Sequence, residues 1–134
     1  MINYKKLIEK AKDAQKLAYS PYSNFCVGAC LLTKSGKTYV GANVENSTYG
    51  ATICAERNAI MNAVLCGEKE IIAIAICSSS NDYTFPCGIC RQTMAEFSKD
   101  MEVIVAKNID DYKVFTLNEL LPYSFTGSDI KWEL

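Results

Sequence analysis

The 134-residue sequence contains no histidine. Without imidazole, Ser-His and Cys-His nucleophilic catalysis are excluded, and so is any metal site built on histidine ligands. No apolar run approaches the roughly 18 residues a membrane-spanning helix needs, so no membrane partner is expected. The opening Met1-Ile2-Asn3-Tyr4-Lys5-Lys6 lacks the apolar core of a secretory signal, which leads us to expect a cytoplasmic protein. A basic excess is missing too: 14 Lys and Arg stand against 15 Asp and Glu, for a net charge of −1. Proteins that bind nucleic acid polymers gain much of their affinity by releasing counterions from phosphates, and carry a basic stripe for it. None is visible here, so a small, neutral substrate suits the balance better. Internal repeats, low-complexity segments and linkers are also absent, and one domain over residues 1–134 is expected.

Hydrophobic residues make up 49% and charged residues 22%, as in an ordinary globular domain. Apolar residues at Leu7, Ile8, Ala11, Ala14, Leu17 and Ala18 predict a helix over 5–19, broken by Ser20-Pro21. Two strands over 25–33 and 37–43 form a hairpin about Lys34-Ser35-Gly36, and a polar loop follows over 43–51. A helix over 52–66 stops at Gly67, and the nearly continuous apolar run 70–77 predicts a strand covered on both faces. A loop over 78–85 leads to a helix from Pro86 to about Ser98, then strands over 101–107 and 112–116 and a short helix over 116–121. Strands alternating with helices after the hairpin make the expected fold class α/β: a three-layer α/β/α sandwich around a mixed five-stranded sheet.

Seven cysteines form an odd set, and in a reducing compartment they stay as thiols rather than build a disulfide framework. Three of them carry chemistry. Cys54-Ala55-Glu56 is followed, 33 positions after Cys54, by Pro86-Cys87-Gly88-Ile89-Cys90. Two helices that follow parallel strands can start at one edge of a sheet, bringing Cys54, Cys87 and Cys90 together. Helix N-termini favour thiolates, and three thiolates leave a fourth position on zinc free for water, which marks a catalytic rather than a structural site. Glu56 then stands as the proton carrier beside that water. Cys26, Cys30, Cys66 and Cys77 have no matched partners and are expected to be packing residues.

The paired pattern resembles the zinc nucleoside and nucleobase deaminases, with their Glu two residues after the first ligand and their P-C-x-x-C. More closely, the chain resembles the small homotetrameric cytidine deaminases. The likeness includes Ser20-Pro21-Tyr22-Ser23-Asn24-Phe25, Val27-Gly28-Ala29, Gly41-Ala42-Asn43-Val44-Glu45, Cys54-Ala55-Glu56-Arg57 and Pro86-Cys87-Gly88-Ile89-Cys90-Arg91-Gln92. That resemblance implies hydrolytic deamination of free cytidine and deoxycytidine, one zinc ion per subunit, and sites shared within a homotetramer. It implies that Asn43 and Glu45 bind the ribose hydroxyls, that Phe25 packs on the pyrimidine, and that the backbone N–H groups of Ala55 and Glu56 fix the base. Tyr49 with Gly50, and Phe125, are implied to reach a neighbouring subunit's site, and Arg57 to hydrogen-bond the thiolates and offset their charge. Arg91 stays open between a site residue and a solvated surface charge. A deaminase of another aminopyrimidine, such as blasticidin S, would share the zinc motifs; Asn43-Val44-Glu45 argues against it. A non-catalytic zinc-binding module is the remaining alternative.

Overall fold

The computed structural model describes residues 1–130. Its first helix, α1 (Tyr4–Gln15), is capped by Asn3, whose side chain accepts from the Lys6 amide. A hairpin of β1 (Val27–Thr33) and β2 (Thr38–Ala42) follows, then α2 (Ala55–Leu65) and β3 (Ile71–Ser78). The chain continues through α3 (Gly88–Phe97), β4 (Glu102–Asn108), β5 (Asp111–Thr116) and the short α4 (Leu117–Leu120). The strands form one sheet in the order β2-β1-β3-β4-β5, parallel only between β3 and β4. The expected mixed five-stranded sheet is therefore present.

Alternation along the central strands explains the three layers. Ala73, Ala75 and Cys77 of β3 face one side with Cys30, Ile104 and Ala106, and Leu7, Ile8 and Ala11 of α1 cover them. Ile74 and Ile76 point the other way with Leu31, Val103 and Val105, and meet Ala59, Ile60 and Ala63 of α2 and Met94 of α3. Because β1 is antiparallel to both β2 and β3, β2, β3 and β4 run in one direction. The helices that follow β2 and β3 consequently begin at the same edge of the sheet.

Two boundaries differ from the sequence pattern, for tertiary reasons. α1 ends at Gln15, not near Tyr19, because Tyr19 leaves the helix to bridge Val44: its N–H donates to Asn43 O and its O accepts from the Glu45 N–H. α2 starts at Ala55 because Ile53 exchanges two backbone hydrogen bonds with Val44. The helix does stop at Gly67, which adopts φ +85, a conformation that costs glycine little. Cys30 and Cys77 are buried as expected, but Cys66 is exposed at the end of α2 and does not pack.

Candidate active site

Cys54 and Cys87 are the N-cap residues of α2 and α3. α2 is pressed tightly onto β2 at Gly41, where an added Cβ would stand 2.4 Å from both Ala55 O and Ala59 N. Asn58 Nδ2 donates to Ala42 O at 2.8 Å and Asn62 Nδ2 to Val40 O at 2.9 Å, so the helix also satisfies outward carbonyls of this edge strand. α3 is tied at its start by Arg91, which donates to Pro86 O at 2.8 Å and Leu120 O at 2.7 Å. Arg91 thus anchors the chain after Leu117 to the helix and is not simply a solvated charge.

With both helices fixed, the Sγ atoms of Cys54, Cys87 and Cys90 lie within 4.8 Å of one another, Cys54 and Cys87 at 3.8 Å. Thiolates around a tetrahedral zinc, with Zn–S about 2.3 Å, stand about 3.8 Å apart. Among the described residues no further His, Cys, Asp or Glu joins the group. The cluster fits a three-thiolate zinc site with one position left for water.

The charges around the sulfurs are graded. A hydrogen bond from Cys90, with Arg57 beside it, pulls the Cys54 thiol down to about 5. The Cys90 thiol is pushed up by that same hydrogen bond and by burial. Arg57 Nη2 donates to Cys54 Sγ at 3.5 Å and to Thr52 O at 3.4 Å. Hydrogen bonding to the thiolate raises the guanidinium's own pKa. Glu56 lies one helical residue away and is only 4% exposed. Burial pushes its carboxyl up to about 7, and the Cys54 charge adds to the shift.

A cavity of about 200 Å³ opens over the cluster. Phe25, Asn43, Ala55 and Glu56, together with Cys54 and Cys87, line it as the sequence suggested. Val27, Thr52, Thr84 and Phe85 complete the walls and were not anticipated. A family model described as "Cytidine and deoxycytidylate deaminase zinc-binding region" matches residues 1–107. The chain belongs to the cytidine and deoxycytidylate deaminase family. A cytidine deaminase of Halalkalibacterium halodurans is 44% identical over 125 residues, 92% of this chain and 95% of that protein. The crystal structure of cytidine deaminase from Burkholderia pseudomallei matches with a TM-score of 0.87 at 43% identity, covering 92% of this chain and all of that one. The one from Mycobacterium tuberculosis matches at 0.82 and 32%, covering 93% and 98%. The deaminase family's zinc-binding region thus contains the three thiols.

The substrate-side residues singled out from the sequence fall in three places: Asn43 in the cavity, Glu45 and Tyr49 beside it, and Phe125 in neither space. Asn43 is buried and already busy: its Oδ1 accepts from the Val27 N–H at 2.9 Å and its Nδ2 donates to Phe25 O at 2.8 Å. One amide hydrogen and one lone pair remain for a ligand. Glu45 and Tyr49 line an adjoining recess of about 370 Å³, which shares Thr52 with the cavity. The Glu45 carboxylate accepts from the N–H groups of Tyr22 and Ser23, both at 3.1 Å, and from the Ser23 hydroxyl. These donors, the hydroxyl first, hold it below the usual carboxylate range. Phe125 lines neither space; it is exposed, with its carbonyl accepting from Gln92 Nε2 at 2.8 Å. Thr84 and Phe85 had one available signal, their position directly before Pro86-Cys87.

Proposed function

We propose that this chain is a zinc hydrolase converting free cytidine and deoxycytidine to uridine and deoxyuridine, with release of ammonia, and that it serves pyrimidine salvage in the cytoplasm. The observation that carries the reading is the buried Glu56 carboxyl beside three converging thiols in a cavity of about 200 Å³. That space is the size of a single base, and the chain's net charge of −1 lacks the basic excess of a polymer binder. None of the relatives named above is called a deaminase of another aminopyrimidine.

Zinc held by Cys54, Cys87 and Cys90 supplies Lewis acidity and brings the pKa of a water toward neutrality. Glu56, whose carboxyl burial pushes above the usual carboxylate range, can both take and give a proton. It takes one from the attacking water and gives it to N3 of the base as the water oxygen bonds to C4. It then relays the second proton to the exocyclic amine, the C4–N bond breaks, and ammonia departs. Cytidine and water are thereby balanced by uridine and ammonia. The Arg57 hydrogen bond to Cys54 draws off part of the charge that three thiolates bring. Phe25 packs on the pyrimidine, the Ala55 and Glu56 amides fix it, and Asn43 and Glu45 take the ribose hydroxyls.

The same reading includes a homotetramer in which Tyr49 and Phe125 complete a neighbour's site. Its support is a set of large apolar and aromatic side chains left exposed, Tyr49, Ile89, Tyr123 and Phe125. The seven free cysteines suit a reducing cytoplasm. Ammonia release from cytidine, measured with and without a zinc chelator, tests the activity. Glu56→Ala should retain its fold and zinc while turnover falls by at least about 100-fold; near-normal rates would remove Glu56 from the chemistry.

A further inference from the structure

Phe85 lines the cavity with Phe25 yet remains 41% exposed, and its ring is not free to swing. It packs against Phe115 of β5, with 5.5 Å between centroids and planes at 57°. The residues before it are held by side chains of β3, β4 and β5. The Tyr83 hydroxyl donates to Asp111, and the ammonium groups of Lys107 and Lys113 each stand 4.7 Å from the centre of the Tyr83 ring. Thr84 Oγ1 donates to Ser78 Oγ at 2.5 Å. Residues 83–85, between β3 and α3, are therefore tied side by side to β3, β4 and β5.

Resting on the reading of the site as a cytidine deaminase, we infer that Phe85 contacts the base and sets the size limit at ring carbon 5. In cytosine, N3 and carbon 5 flank the reacting carbon. Glu56, which serves N3, comes from α2, and Phe85 comes from the loop before α3, so separate elements bring the two side chains to one cavity. With N3 turned to Glu56, carbon 5 points away from α2 and is assigned to the wall that Phe85 gives the cavity. A rigid aromatic there rejects bulk, because a packed wall braced by Phe115 and the Tyr83 clamp yields little.

The test uses the zinc-loaded enzyme and its variants Phe85→Ala and Phe85→Leu. Uridine titrated calorimetrically should bind the alanine variant at least about fivefold more weakly, the scale of losing one base–aromatic contact. The ratio of kcat/KM for 5-bromocytidine over cytidine should rise at least about tenfold, the scale of relieving a tight apolar pocket. A folded Phe85→Ala with unchanged uridine affinity and an unchanged ratio overturns the inference. If the alanine variant does not fold, Phe85→Leu, which keeps an apolar partner for Phe115, decides on the same two readings. Failure of the wild type to release ammonia from cytidine would sink the deaminase reading instead, and the uridine titration would still judge the wall.

Discussion

Replacing Gly41 with alanine should disturb the metal site far more than one added methyl group suggests. The new Cβ would lie 2.4 Å from Ala55 O and Ala59 N, about 1 Å inside ordinary contact at 3.4 Å. Both atoms are main chain of α2, so no rotamer change relieves the clash and the helix must lift from β2. Overpacking of this kind costs about 1–3 kcal/mol. The Asn58 and Asn62 hydrogen bonds to Ala42 O and Val40 O, at 2.8 and 2.9 Å, would stretch by a similar amount and lose most of their strength. Cys54 caps this helix, so its sulfur moves relative to Cys87, whereas metal–ligand distances tolerate only about 0.2 Å.

Gly28 supplies the control. A Cβ there would meet Ala11 O at 2.0 Å and Gln15 N at 2.4 Å, pushing α1 off the opposite face of the sheet. Urea unfolding should therefore report losses of similar size for Gly28→Ala and Gly41→Ala. Zinc affinity, measured by competition with a chromogenic chelator, should fall about 10- to 100-fold in Gly41→Ala and stay near wild type in Gly28→Ala. Equal zinc affinities in the two folded variants would refute the claim that the β2–α2 contact sets the sulfur cluster.

Two further outcomes follow from the polar groups around the cavity. Asn43→Ala orphans the Val27 N–H and Phe25 O; at about 1–3 kcal/mol for each unsatisfied group, denaturant titration should show a loss of roughly 2–6 kcal/mol, and a loss under about 1 kcal/mol would mean water replaces the amide. Glu45 is held below its usual 4.5, so its contribution to stability is complete above that value and disappears as pH falls through the lower folded-state value. Glu45→Gln should flatten the fall of the melting temperature below about pH 4.5, and a slope identical to wild type would count against the carboxylate's hydrogen bonds.

Apolar continuity made β3 and β4 legible, since strands covered on both faces need apolar residues at every position. The sequence also distinguishes their two faces: β3 turns Ala73, Ala75 and Cys77 toward α1 and Ile74 and Ile76 toward α2 and α3. Helix ends were less legible because they were decided by distant partners. Leu17 and Ala18 continue a helical spacing, yet the backbone of Tyr19 finds its hydrogen bonds on Asn43 and Glu45. Thr52 and Ile53 look helical too, but Ile53 pairs with Val44. In both places a bridge across the chain overrode local propensity.

The candidate site divides along the same physical line. The cysteines and Glu56 sit at short, local spacings that a helix N-terminus turns directly into geometry, so their identities could be read. Phe85 could not be, because its role depends on Phe115 and on a clamp reaching β4 and β5. Nor could the titration of Glu56. A glutamate in the first turn of a helix would ordinarily be held charged by the N-terminal dipole. Here burial outweighs that effect and carries the carboxyl to about 7. Glu56 stands in the first turn of α2, the helix that lies tight against β2 at Gly41. The position of Glu56 can thus be named from the sequence, but the elevation of its carboxyl is a property of the packing.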